Sequence, residues 1–302
     1  MTAMRVLIAT LGAAVATAAA VSVSGSERAT AGAEPESFAF AIGNRTLKGP
    51  AADVGKRYER FDLVVVDGDE ASAAEVEAIR AKGTTALAYL SVGTIERWRP
   101  WYGNLKRYRL GAWRDWKDEW FADTSKQALR RKLVRIAEDE ILVEGFDGLF
   151  LDNVDMVEAR RHRAQRAGMG SLVADLDEVV GSGALFAQNG ARGVLRGYSR
   201  QDVEPLIDHL DGWNREDVTW TYDFDSRRYV RSRAGDRAAA LEELDEIGQA
   251  GLTTTATDYI DLAGAHSPGA CRAVENAEEV GTLPYLSDIG LTLRAVKANP
   301  AC

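Results

Sequence analysis

The chain has 302 residues, 46% of them hydrophobic and 27% charged, a composition that excludes disordered and collagen-like classes and fits a packed globular protein. Forty-six Asp and Glu against 37 Lys and Arg give a net charge of −9, which excludes a general nucleic-acid binder, because neutralising phosphates needs a basic face. Two Cys and no sustained heptads exclude a disulfide-dense scaffold and a coiled coil.

The first segment in chain order reads as a leader. Arg5 supplies a short basic start, residues 6–20 form an apolar run, and small-x-small sites end at Ala31 and Ala33. That layout is a secretory signal peptide over residues 1–33, followed by one domain over 34–302 and a secreted product. An uncleaved N-terminal anchor is the alternative, but the run is short and weakly apolar against the roughly 20 residues a bilayer span needs. No stable membrane anchor is therefore expected. Cleavage removes Arg5, Glu27 and Arg28, a net +1, and leaves −10. Export permits a disulfide between Cys271 and Cys302, with two free thiols as the alternative.

Eight short apolar runs then read as strands: residues 37–42, 63–66, 85–91, 148–152, 184–188, 209–213, 253–257 and 283–286. Helical spacing predicts helices over 71–82, closed by Gly83, and over 126–140, with Leu129, Leu133 and Ile136 on one face. Further helices are expected over 172–180, briefly from Pro205, and over 238–249, where Leu241, Leu244 and Ile247 align and Gly251 follows. Alternating strands and helices indicate parallel βαβ units, and the count of eight favours an α/β fold of (β/α)8 TIM-like barrel type over an open sheet. The turn after residues 63–66 is Asp67-Gly68-Asp69-Glu70, acidic where a dinucleotide or phosphate loop needs glycine and lysine. No nucleotide or other cofactor is expected.

Active sites of such barrels lie at the C-terminal ends of the strands. The residues there are Asn44, Asp67 with Asp69, Glu96, Asp152 with Asp155, Asn189, Glu216, Asp258 with Tyr259, and Ser287 with Asp288. Carboxylates gathered at one end suit glycosidic bond cleavage, in which one protonates the leaving oxygen and the other attacks the sugar or activates water. Asp69 and Asp288 read equally well as helix caps. Asp152 ends an apolar run, so a rigid strand fixes it. Glu216 follows Trp213, an apolar neighbour placed to raise its pKa toward that of a general acid. His162, His209 and His266 lack ligand spacing and both Cys come late, so no metal site is expected; a Ca²⁺ site has no loop signature. No GxSxG supports a serine hydrolase.

Five of the seven Trp, at 98, 101, 113, 116 and 120, fall after the third strand with Tyr102 and Tyr108. Flat rings with polar edges stack on sugar faces. The plainer alternative is a satellite core under a long loop. The other two, Trp213 and Trp220, flank Glu216. The basic run Arg160-Arg161-His162-Arg163, with Arg166, reads as a solvated helix face rather than an anionic-ligand site.

FDLVVVD, AYLSVGxxE, GFDGLFLDNVD, QNG and an acid after the sixth strand together resemble the endo-α-1,4-polygalactosaminidase family, glycoside hydrolase family 114, from about residue 38 to 290. The resemblance implies a TIM-like barrel that hydrolyses α-1,4-linked galactosamine polymers. It also implies a catalytic pair, Asp152 in LDNVD and the acid after the sixth strand, matched by Glu216. This chain departs from the usual GEAE after the third strand, having Gly93-Thr94-Ile95-Glu96. The expected substrate-binding set is Asp67, Tyr89, Glu96, Asn153, Asp155, Asn189, Trp213, Asp258 and Tyr259. A cationic galactosamine polymer would be drawn to such an acidic ring. The expectation is therefore a retaining hydrolase with Asp152 as nucleophile and Glu216 as general acid/base. The alternatives are a barrel that binds sugar without cleaving it, and a hydrolase for another amino-sugar or neutral glycan.

Overall fold

The computed structural model describes residues 34–43, 46–197, 205–261 and 268–292. The leader expected over 1–33, Asn44 and Cys302 lie outside the described residues, while Cys271 is disulfide-bonded. No helix among the described residues is long and apolar enough to cross a membrane.

Eight parallel strands form the barrel: β1 Phe38–Ala41, β2 Leu63–Asp67, β3 Thr85–Ser91, β4 Gly148–Asp152, β5 Ala184–Gln188, β6 Gly212–Glu216, β7 Thr253–Tyr259 and β8 Leu283–Ser287, neighbouring one another in chain order. Between them lie α1 Ala51–Tyr58, α2 Ala73–Arg80, α3 Gln127–Ile136, α4 Arg166–Val180, α5 Ala191–Arg196, α6 Ala234–Gln249 and α7 Pro268–Glu278. The (β/α)8 expectation holds. The seam between β1 and β8 is closed by Phe38 packing on Tyr285, with ring centroids 6.0 Å apart. Beside it, the Gly43 N–H donates to the Leu291 carbonyl at 3.0 Å.

The strands are apolar because both faces are covered. Val64, Val65 and Val66 are fully buried, each contributing roughly 1.5–3 kcal/mol of hydrophobic stabilisation. Inside the barrel, Phe40 packs on Phe150 at 4.9 Å and on Tyr89 at 6.1 Å. Helix ends follow local chemistry: Ser72 opens α2 by pairing with Glu75 (Ser72 N–H to Oε2, 2.9 Å), and Gly83 beyond it adopts φ +86°. In α3 the predicted face of Leu129, Leu133 and Ile136 is buried. That helix ends earlier than expected, passing into a π turn over Ala137–Ile141.

The sixth strand differs most from expectation. Residues 206–209 form a 3₁₀ turn, held to α4 by His209 Nδ1 and Asp177 Oδ2 at 3.0 Å, and β6 begins only at Gly212. A Cβ at Gly212 would stand 2.0 Å from the Phe186 ring, so glycine is what lets β6 pass this ring. The three-residue shift turns Glu216 from a loop residue into the last residue of a strand. β7 likewise extends to include Asp258 and Tyr259.

Two additions sit at the C-terminal end of the barrel. After β3, Thr94–Glu96, Arg109–Ala112 and Glu119–Ala122 form a three-stranded antiparallel sheet with the Glu119–Ala122 strand central. After β6, Trp220–Asp223 pairs with Arg228–Arg231 as a hairpin.

Candidate active site

Side chains alternate across a strand, so every second residue points into the barrel. Asp67, Ser91, Asp152, Gln188, Glu216 and Tyr259 are the last inward positions of β2 to β7, and Tyr89 is the inward position before Ser91. Asp152 is held by four donors: Tyr89 O–H to Oδ2 at 2.6 Å, the Asn153 N–H to Oδ1 at 2.7 Å, Asn153 Nδ2 to Oδ2 at 3.0 Å, and Gln188 Nε2 to Oδ1 at 2.9 Å. Burial raises its pKa, and these donors, with the Arg99 charge, oppose the rise by favouring the carboxylate.

Glu216 is held by two donors: Asn189 Nδ2 to Oε2 at 3.0 Å, and the Tyr259 hydroxyl to Oε1. Burial pushes its pKa up to about 8, with the negative charges of Asp152 and Asp217 adding to the effect. Burial thus favours the protonated form of Glu216 at neutral pH; it raises Asp152 as well, but Asp152 has twice the donors that favour the ionised form. The polar layer beneath joins them. Asn214, fully buried, donates to Gln188 Oε1 at 2.9 Å and accepts from the Thr255 and Thr257 hydroxyls at 2.8 and 3.2 Å. This orients the Gln188 amide so that its NH₂ faces Asp152.

Asn153 and Asn189 follow β4 and β5 in the left-handed region, at φ +63° and +58°. Asparagine tolerates this conformation better than other side chains. The turn swings each amide back onto the nearby carboxyl; Asn189 Oδ1 also accepts the Glu216 N–H at 3.1 Å. Gly93 makes room for the first of these turns, since a Cβ there would lie 1.8 Å from the Asn153 carbonyl oxygen.

On the β2–β3 side, Arg99 is 5% exposed and pairs with Asp67, Asp69 and Glu96, its guanidinium 5.4 Å from the centre of the Tyr89 ring. Burial pushes Asp67 up to about 7 against the pull of Arg99, and raises Glu96 in the same way. Thr94, which stands where the family pattern has its first acid, donates to Glu119 Oε1 and bonds Ser91 Oγ at 2.6 Å. Glu119, from the inserted sheet, thus brings a carboxyl to that side of the pocket, with its pKa pushed to about 8 by burial.

Two expected binding residues face away from the pocket. Trp213 is fully buried on the outer side of β6, with its indole N–H donating to the Asn189 carbonyl at 2.6 Å. Strand alternation sets it opposite Asn214 and Glu216, so it supports the turn after β5 and does not desolvate Glu216. Asp258 points outward from β7 and accepts the Thr219 and Trp220 N–H groups at 2.7 and 2.9 Å, anchoring the chain leading into the hairpin. Its pKa, pushed to about 7, follows from burial. Asp155 lies one turn beyond Asp152 in the 3₁₀ segment Val154–Glu158, half-buried and pushed to about 7 by burial and then by the Asp152 charge. Asp288 keeps to a local loop role, accepting from Thr292 N at 3.0 Å and Oγ1 at 2.6 Å. Asp69, by contrast, belongs to the Arg99 cluster.

Gln188, Asn214, Arg99 and Glu119 are the residues that sequence reasoning missed. Counting two back from Glu216 finds Asn214, and the QNG run contains Gln188. Arg99 and Glu119 carry no comparable signal. Among the aromatics, Trp101 is buried, Trp113 stacks on Phe121 at 5.5 Å, and Trp120 lies 5.9 Å from Tyr102. The satellite-core alternative thus accounts for Trp101 and Trp120 and for the side of Trp113 that meets Phe121; Trp98 and Trp116 are exposed.

Residues 19–184, more than half of the chain, match the model of glycoside-hydrolase family GH114. The chain belongs to that family. Among solved structures, the glycoside hydrolase domain of PelA from Pseudomonas aeruginosa is 24% identical, with a TM-score of 0.68 covering 85% of this chain and 96% of that one. Ega3 from Aspergillus fumigatus, crystallised in complex with galactosamine, is 15% identical, with a TM-score of 0.62 covering 85% and 92%. An uncharacterized protein from Thermotoga maritima is 23% identical over 77% of this chain and 76% of its own length. One from Methanocaldococcus jannaschii is 23% identical over 75% and 70%. These likenesses support the barrel, and membership of GH114 makes the chain a glycoside hydrolase acting on a polysaccharide.

Proposed function

We propose that this GH114 enzyme is exported and cleaves α-1,4-linked galactosamine-containing polysaccharide with Asp152 as nucleophile and Glu216 as general acid/base. The observation that carries the assignment of roles is the asymmetry between the two carboxyls. Four neutral donors favour ionised Asp152, while burial holds the proton on Glu216 with its pKa near 8. In the first step Glu216 gives its proton to the glycosidic oxygen as the Asp152 carboxylate attacks the anomeric carbon, forming a glycosyl ester and releasing the shortened chain. In the second, Glu216, now ionised, takes a proton from the water that attacks the same carbon and frees Asp152. Tyr89, Gln188 and Asn153 release their hold on the carboxylate as its charge is spent, and recover it at the end. The amine preference rests on the β2–β3 side, where three carboxyls around one guanidinium suit an ammonium group. Galactosamine as the ligand of the Ega3 complex agrees with this chemistry.

The test is product release from de-N-acetylated and acetylated α-1,4-galactosaminan by wild type and Glu216→Gln. Cleavage of the free-amine polymer with α-anomeric product, reduced by about 10²–10⁴-fold in the variant, is expected. Binding without release by wild type would instead make the protein a sugar-binding barrel, and neither binding nor release would make the polymer the wrong one.

A further inference from the structure

A second cavity, of about 400 Å³, opens beside the acidic site, and its lining has the opposite electrostatic character. Phe121 comes from the inserted sheet, Trp113, Arg114 and Asp115 from the turn between its Arg109–Ala112 and Glu119–Ala122 strands, and Arg161 and His162 from the segment after β4. Phe121 lies two residues along its strand from Glu119 and on the same face, which places cavity and acidic cluster about 7 Å apart along that strand.

Trp113 is half-buried and stacks on Phe121 with the planes 23° apart, so the buried Phe121 ring backs Trp113, which forms the apolar wall. Arg161 lies 5.0 Å from the Phe121 ring and donates through Nε to His162 Nε2 at 2.9 Å. This bond uses His162 as an acceptor, so the imidazole is neutral; burial and Arg161 hold its pKa down. Neither Arg114 nor Arg161 is ion-paired with a carboxylate among the described residues, although the chain carries nine more acids than bases. Asp115 stands at the rim, likewise without an ion pair. Two guanidinium groups and one carboxylate leave a net +1, which matches one carboxylate better than a doubly charged phosphate. The arginines rule out an ammonium sugar here, the wall suits the apolar face of a hexose, and the volume is that of a small-ligand site.

We propose that this pocket binds a carboxylate-bearing hexose, with Arg114 and Arg161 on the carboxylate and Trp113, backed by Phe121, against the ring. It goes beyond the hydrolase reading: the pocket binds its ligand whether or not Asp152 and Glu216 cleave a neighbouring bond. The basic run after β4 is then more than a solvated face, since Arg166 holds the Val157 and Glu158 carbonyls at 2.8 and 2.7 Å and Arg161 lines the pocket.

The experiment is calorimetric titration of the full protein with D-galacturonate, with D-galactose and acetate as parallel arms. Galacturonate should bind at least about tenfold more tightly than either, since one charge-assisted contact is worth about that factor. Arg114→Gln and Arg161→Gln should each weaken it about tenfold, and Asp115→Asn should tighten it by removing a like charge from the rim. Arg114 and Asp115 are exposed, so these variants leave the fold intact even where Arg161→Gln loosens the stack on Phe121. Acetate bound as tightly as galacturonate would mean an anion contact only, and would overturn the proposal. So would galactose bound equally well, no galacturonate binding at all, or affinity unchanged in Arg114→Gln and Asp115→Asn.

Discussion

On the β4–β6 side of the barrel mouth, Asp152 and Glu216 are held by neutral amides and phenols; on the β2–β3 side, Asp67, Asp69 and Glu96 are gathered around a buried cation. Neutral donors favour the carboxylate less strongly than a full charge does, so a proton can leave Glu216 and return without an ion pair being broken. A fixed cation pulls more strongly toward the ionised form and holds the carboxyls in place by ion pairing, though burial still outweighs that pull at Asp67 and Glu96. Proton transfer suits the first setting, and recognition of a charged group suits the second.

Removing charge from the first side should cost most. Asp152→Asn keeps the shape of the side chain but loses the proposed nucleophile, and kcat should fall by about 10³-fold or more with KM little changed. An equal loss in both parameters would point to a collapsed site. On the second side the greatest damage is to stability. Arg99→Gln strands two buried carboxyls, Asp67 and Glu96, and the half-buried Asp69, and urea unfolding should show a loss of about 3–5 kcal/mol. Asp67→Asn is milder: KM for the free-amine polymer should rise by about tenfold while kcat holds, because one charge-assisted contact is lost and no proton is moved. A fall in kcat without a change in KM would erase the division between the two sides.

Stability should also follow the raised carboxyls. Glu216 and Glu119 near 8, and Asp67 near 7, bind protons more tightly folded than unfolded. Their contribution is fully present below the ordinary carboxylate range, around pH 4, and is lost as pH rises through about 7–8. Calorimetry should give a Tm higher at about pH 5.5 than at about pH 8.5, by roughly 2–4 °C per kcal/mol for a chain of this size. Glu216→Gln should reduce that slope.

The barrel was legible because buried parallel strands are written as short apolar runs, and LVVV and GLFLD need no tertiary knowledge. Asp152 followed from the same logic, as the first polar residue at the end of such a run. Trp213 and Asp258 were misplaced by reading proximity along the chain as proximity in space. In a strand, adjacent residues lie on opposite faces, so a tryptophan three before Glu216 points away from it. The sixth strand slipped by three residues because HLDGW looks apolar, whereas what starts the strand is the empty space at Gly212 beneath Phe186. Arg99 and Glu119 were invisible for a different reason. Each belongs to the site only because a long insertion folds back over the mouth, and no local pattern records that return.

Asn189 has one further property. It precedes Gly190, and an asparagine amide followed by glycine is the kind most readily attacked by the next backbone nitrogen, losing ammonia to a cyclic imide that water then opens to a carboxylate. At most positions that is a surface blemish. Here the new acid would stand where an amide now donates to Glu216 at 3.0 Å, replacing a donor with a like charge. Loss of this one amide would therefore disturb Glu216 through a residue that itself takes no part in bond cleavage.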